Sequence, residues 1–239
     1  MRPKFSYKTS FLVAASLLVT ALAAAAIDAY TLKRTAKAGD TTKSKVTLDL
    51  EANGMSINAA IDAVSKVIDV KADGTIVEES VQKHLVVTAG GSELANQDDA
   101  GKATTTRDAR GIVSAIETSE DGGGNKWRNE RIISLIYPEK PVNIGDKWTY
   151  ESKADKSKDL PLGTFTYEVK GKEKVKDKEV LRINYTFKET GVDDAIESEG
   201  YMLVSIATGE VLKSDGKVKN YPIPQLGPTA VKYKQEVVD

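Results

Sequence analysis

Residues 56–71 read S-I-N-A-A-I-D-A-V-S-K-V-I-D-V-K, and two periodicities compete there. As a helix, Ile57, Ala60, Ile61, Val64 and Ile68 form an apolar stripe at i, i+3, i+4 spacing. As a strand, Ile57, Ala59, Ile61, Ala63 and Val67 share one face, with Asn58, Asp62 and Lys66 among the residues opposite. The flanks favour the strand. Asn53-Gly54 precedes the stretch and Asp73-Gly74 follows it, and both pairs suit tight hairpin turns whose central positions need positive φ. The hairpin partners are then Lys45–Glu51, where Val46, Leu48 and Leu50 alternate with Thr47, Asp49 and Glu51, and Thr75–Val87.

Toward the N-terminus, Ala29–Ala36 is expected to be a short opening strand ended by a turn at Ala38-Gly39-Asp40. On the other side, Gly90–Gly101 is polar and loop-like, while Lys102–Arg107 and Gly111–Thr118 are two further strands. Asp121-Gly122-Gly123-Gly124-Asn125 has the greatest backbone freedom in the chain. Apolar residues at 127, 132, 133 and 136 predict a short helix over Trp127–Ile136.

Residues 137–150, Y-P-E-K-P-V-N-I-G-D-K-W-T-Y, act as a joint. Pro138 and Pro141 deny a helix and hold the backbone extended. Gly145-Asp146 then turns the chain into a strand beginning at Lys147. Beyond it, Phe165, Tyr167 and Val169 alternate with Thr164, Thr166 and Glu168. Leu181, Ile183, Tyr185 and Phe187 alternate with Arg182, Asn184, Thr186 and Lys188, the longest clean alternation in the chain. Met202, Val204 and Ile206 mark a later strand, and Val231, Tyr233 and Val237 a closing one. The chain is therefore read as mainly β: a strongly curved antiparallel sheet or unclosed barrel with one or two short helices. Two similar halves, 27–136 and 149–239, flank a joint at 137–148 within one domain.

The first 26 residues read as a secretory signal peptide. Arg2, Lys4 and Lys8 supply the positive region, Phe11–Ala23 the apolar one, and Ala23–Ala26 the small-residue cleavage site, with the cut after Ala26. Cleavage takes three of the 34 basic residues and none of the 35 acidic ones, moving the net charge from −1 to about −4. So mild and mixed a charge argues against nucleic-acid binding, and no stable membrane span is expected after cleavage. There is no cysteine, which excludes disulfides and a lipidated anchor. The expected location is periplasmic or extracellular.

Reactive chemistry is sparse. His84 is the lone histidine, and with no cysteine the parts of zinc sites, thiol nucleophiles and Ser-His triads are missing. Asp98-Asp99, Asp193-Asp194 and the pair Glu197 and Glu199 border turns without the spacing of a calcium loop, so solvated turn charge is the reading. Gly122–Gly124 lacks the Lys-Ser/Thr of a phosphate loop. No catalytic residue, metal site or cofactor is expected. What remains is an apolar sheet face that either fills a core or lines a pocket, with Phe165, Tyr167, Ile183, Tyr185 and Phe187 as candidate ligand-binding residues.

The run Pro-x-Lys-Pro-Val-x-x-Gly-Asp-x-Trp, Pro138 to Trp148, together with a signal peptide and strand-rich halves, resembles a group of bacterial exported proteins near the lipoprotein-carrier superfamily of LolA, LolB and LppX. That resemblance implies an unclosed, curved antiparallel sheet with helices in its concave face, holding acyl chains. It carries over no functional residue, and this chain departs from it in having few helices. Three functions stay open: an exported, soluble, non-catalytic binding or carrier domain for a lipid, acyl chain or other apolar ligand, an envelope domain that pairs its exposed strand edges with a protein partner, and an enzyme such as a two-carboxylate hydrolase.

Overall fold

Alternation such as that of Leu181–Phe187 buries every second side chain, and the fold repeats it over eleven strands. The computed structural model describes residues 29–52, 54–119, 126–223 and 226–238. Its strands are β1 (Thr41–Ala52), β2 (Met55–Val70), β3 (Ile76–Ala89), β4 (Ser92–Arg107), β5 (Val113–Thr118), β6 (Lys147–Ser152), β7 (Leu162–Val175), β8 (Lys178–Thr190), β9 (Glu197–Ser205), β10 (Val211–Ile223) and β11 (Gly227–Val238). One short helix, α1 (Lys126–Arg131), and one 3-10 turn, Lys156–Lys158, complete it. All strands pair antiparallel in one sheet, ordered β5-β4-β3-β2-β1-β11-β10-β9-β8-β7-β6. Residues 41–118 and 147–238 are thus two meanders, joined where β1 pairs with β11 from Lys43 opposite Val238 to Leu50 opposite Val231.

Residues 56–71 are strand, as the hairpin signals require: β2 pairs with β1 from Thr41 opposite Lys66 to Ala52 opposite Met55. At the Asp73-Gly74 turn, Gly74 has φ +84° and its N–H donates to the Lys71 carbonyl at 3.0 Å. Gly54 closes the other hairpin at φ +75°, while Asn53 lies outside the described residues. So do the proposed signal peptide, 1–26, and the glycine-rich run 121–125.

Three expectations are corrected. Ala29–Ala36 is no strand of the sheet. It lies over the inner face, where Leu32 is buried, bridging Tyr30 to Val142 and donating from Thr35 N–H to the Thr208 carbonyl at 2.8 Å. Gly90–Gly101 is a loop only at the Gly90-Gly91 turn, because β4 runs from Ser92 through the rest of it, paired with β3. Its side chains are mostly exposed on both faces, so no period-two signal marks it, and a register shift sits beside Gln82 and His84. The helix expected over 127–136 ends at Arg131. Beyond it the backbone bonds to the sheet instead: Ile136 N–H donates to Tyr167 Oη (3.1 Å), Tyr167 Oη–H to the Ser134 carbonyl (2.7 Å), and Trp148 Nε1–H to the Ile136 carbonyl (2.8 Å).

The topology dictates what residues 126–146 do. β5 and β6 occupy opposite edges of the sheet, so the connection between them must traverse it. α1 and the extended segment after it form a strap on the inner face, burying Ile132, Leu135, Ile136, Tyr137 and Val142 in the main core. The sheet curls until both edges meet this strap, with the Arg110 guanidinium 5.7 Å from the Tyr150 ring centroid, but it does not close into a barrel. Among the described residues no helix is long and apolar enough to cross a membrane.

Candidate functional site

The register makes one apolar face continuous across both meanders. One cross-strand row runs Trp148, Tyr167, Tyr185, Gly200, Gly216, Tyr233, Leu48, Ala59, Val87 and Ala95. A neighbouring row carries Val169, Ile183 and Met202 at one end and Val46, Ile61 and Leu85 at the other.

Over β6–β10 this face is closed by the strap. The five residues singled out from the sequence are all there, and Phe165, Tyr167, Ile183, Tyr185 and Phe187 are each no more than 2% exposed. Phe165 lies 4.5 Å from Phe187 and Tyr167 4.9 Å from Trp148, centroid to centroid, within the range of favourable ring pairs. Tyr185 and Tyr233 lean over the paired Gly200 and Gly216, and their hydroxyls hydrogen-bond to each other, with Ser198 Oγ 3.1 Å from Tyr185 Oη. Burial raises the pKa of both phenols, and also that of Tyr167.

Over β1–β4 the same face is closed only in part: Ser44 and Leu50 are buried and Leu48 packs against the main core. Val46, Leu48, Ile57, Ala59, Ile61, Leu85 and Val87 point to the inner side yet are only half-buried. Met55, half exposed at the β1–β2 turn, extends this trough to the rim of the sheet. At its opposite end the trough turns polar: Arg34 bridges Glu78 (3.8 Å) and Glu210 (3.2 Å), and Ser65 Oγ bonds Ser80 Oγ at 3.2 Å.

Three arginines organise the charge around α1. Arg128 clamps the fully buried Glu189 through Nη2 (2.5 Å) and Nε (3.2 Å), and that hydrogen-bonded carboxylate raises its pKa. Arg107 pairs with Glu130; burial alone would lower its pKa, but Glu130, with Glu78 and Tyr137, turns the shift upward. Arg131, 8% exposed, is lowered by burial, and its Nη1–H donates to the Pro161 carbonyl at 2.8 Å. A cavity of about 60 Å³ lies beside it, lined among others by Ile112, Trp127, Ile136, Tyr150 and Phe165. None of the three arginines carried a sequence signal, because each partner lies far away along the chain.

The polar candidates lie on the surface, and His84 and Asp98 are brought into contact there on β3 and β4. His84 Nδ1 meets Asp98 Oδ1 at 2.8 Å and Lys83 meets Asp99 at 2.8 Å. Glu197 pairs with Lys188 (2.7 Å) and Lys219 (3.3 Å), and Glu199 with Lys217 (2.7 Å). Lysine hydrogen bonds are the first cause of the lowered Glu197 pKa. Among the described residues no group of three His, Cys, Asp or Glu side chains is placed to hold a metal. A groove of about 610 Å³ on the outer face of β6–β11 is lined by such pairs, including Lys147 with Glu168.

The segment Pro138–Trp148 works as structure. Asn143 N–H donates to Asp146 Oδ2 (2.8 Å), Gly145 takes φ +94°, and Gly145 N–H and Asp146 C=O bond to Val169 (2.7 and 3.0 Å), setting the entry to β6. No protein-family model matches the chain, and no curated protein aligns with it. Among solved structures it is similar to a DUF1329 family protein from Desulfovibrio piger, at 14% identity over 83% of this chain and 86% of that one. The TM-score is 0.24, too low to carry an argument.

Proposed function

We propose that this chain is an exported, non-catalytic binding or carrier domain for a lipid or other apolar ligand, which lies in the open trough over β1–β4. One observation supports the reading: a single apolar sheet face is fully packed where the strap covers it, while Val46, Ile57, Ile61, Leu85 and Val87 on the same face are only half-buried. An open apolar concavity with polar groups at one end is the usual form of a site for such ligands. In this reading Phe165, Tyr167, Ile183, Tyr185 and Phe187 are the packed floor on which the strap rests, and the ligand contacts fall to Leu48, Ile57, Ile61, Leu85 and Val87. The alternative, an envelope protein paired to a strand edge, would use the outer edge of β4 before Ala103, which β5 does not cover, or the six-residue edge strands β5 and β6.

Uptake of a fluorescent fatty acid by the purified protein tests the reading. Ile61 sits opposite Leu85 in the middle of the trough. Ile61→Glu should weaken uptake by tenfold or more, about 1.4 kcal/mol, with a near-normal melting temperature. A wild-type protein that takes up no probe, and that carries no lipid by native mass spectrometry when isolated from its own host, overturns it.

A further inference from the structure

We propose that the end of the sheet carrying the β1–β2, β3–β4, β8–β9 and β10–β11 turns docks on a lipid bilayer through exposed apolar side chains. Successive hairpins of an antiparallel meander turn at alternate ends. These four turns therefore share one end with the start of β7, while the β2–β3, β4–β5, β7–β8 and β9–β10 turns share the other. Among the described residues eight large apolar side chains are exposed, and five of them are at the first end, between 40% and 65% exposed. Met55 follows the β1–β2 turn, Leu94 lies near the start of β4, Leu162 opens β7, Val192 is in the β8–β9 turn and Leu226 precedes β11. Of the rest, Ile68 lies within β2, Ile133 on the strap, and Ile144 just before β6 at the opposite end.

Turns in water favour polar residues and glycine, and the turns of the opposite end follow that rule: Lys71-Ala72-Asp73-Gly74, Asp108-Ala109-Arg110-Gly111 and Lys176-Asp177. Exposed apolar residues gathered at one end mark a surface that is covered in use. Two observations choose the bilayer. Within two positions of the five apolar residues stand three acidic side chains, Glu93, Asp193 and Asp194, and no basic one, so contact there is apolar and not an attraction to anionic groups. The trough also opens at this end, since Met55 carries its apolar face to the rim. Docking sets the mouth of the trough against acyl chains. The choice of a bilayer over a protein partner thus rests on the lipid reading of the trough.

Flotation of the full chain with phosphatidylcholine vesicles, with and without phosphatidylglycerol, is the test. Wild type should float with both, with no gain from phosphatidylglycerol and no loss at high salt. Leu94→Ser and Leu226→Ser should each weaken the partition, and together by about tenfold, at an unchanged melting temperature because both side chains are already exposed. Ile144→Ser, at the other end, should match wild type. Residues 1–26 are the same in every variant, so the comparison reads the rim and not that apolar stretch. No flotation of wild type, equal flotation of the double variant, an equal loss in Ile144→Ser, or binding that requires phosphatidylglycerol overturns the assignment. Fatty-acid uptake without vesicles reads the trough independently, so failure of the rim and failure of the trough are told apart.

Discussion

Gly200 and Gly216 show how single residues set the sheet's shape. They face each other on β9 and β10, and what they lack is as important as what Tyr185 and Tyr233 supply above them. A Cβ on Gly200 would come within 2.2 Å of the Asp215 carbonyl oxygen and 2.7 Å of the Gly216 Cα, both backbone atoms that cannot swing aside. Gly200→Ala should therefore cost about 1–3 kcal/mol by overpacking. In a chain of this length each kcal/mol lowers the melting temperature by roughly 2–4 °C, so differential scanning calorimetry resolves the loss. An unchanged melting temperature would mean that the two strands separate without cost.

The strap is the element on which the inner face depends. Tyr167 fixes it by accepting from the Ile136 N–H and donating to the Ser134 carbonyl, both buried. Tyr167→Phe keeps the ring stack with Trp148 but strands two buried backbone groups, and the expected cost is about 1–3 kcal/mol for each group left unpaired. The urea midpoint should fall accordingly. Fatty-acid uptake should persist, because the trough is built on other strands. If Tyr167→Phe instead removes uptake at unchanged stability, the ligand lies beneath the strap and not beside it.

At the scale of the molecule, the buried phenols give the fold an alkaline limit. Burial pushes the Tyr137 hydroxyl up to about 12, from an ordinary value of about 10, while it donates to the Gly209 carbonyl at 2.7 Å. Between those values the folded protein keeps a proton that the unfolded chain releases. This contribution is therefore complete below about pH 10 and is lost as pH rises from about 10 to 12, a change of order 3 kcal/mol. Burial shifts Tyr167, Tyr185 and Tyr233 in the same direction, so unfolding free energy should fall steeply over that range. Denaturant titrations from neutral pH to about pH 12 measure the slope, and Tyr137→Phe should make it shallower.

By itself the sequence determined the local state of most of the chain. The Asp-Gly turn and the alternation at Val46–Leu50, Phe165–Val169 and Leu181–Phe187 were legible because a half-buried strand writes its period into neighbouring residues. β4 was not legible through Gly90–Gly101, since a strand with two polar faces writes no period at all. Nor was the end of α1, set by hydrogen bonds from Tyr167 and Trp148, which follow it by some tens of residues or fewer. Only the tertiary structure decided which part of the apolar face is core and which is trough. Phe187 and Ile61 look alike in sequence, each an inward residue of an alternating strand. One lies under the strap at 1% exposed and the other is half-buried, because the β5–β6 connection crosses above β7 and β8 and does not reach Ile61. The placing of Arg131 beside its cavity has the same origin, since burial depends on what the whole chain lays over a residue and not on its neighbours in sequence.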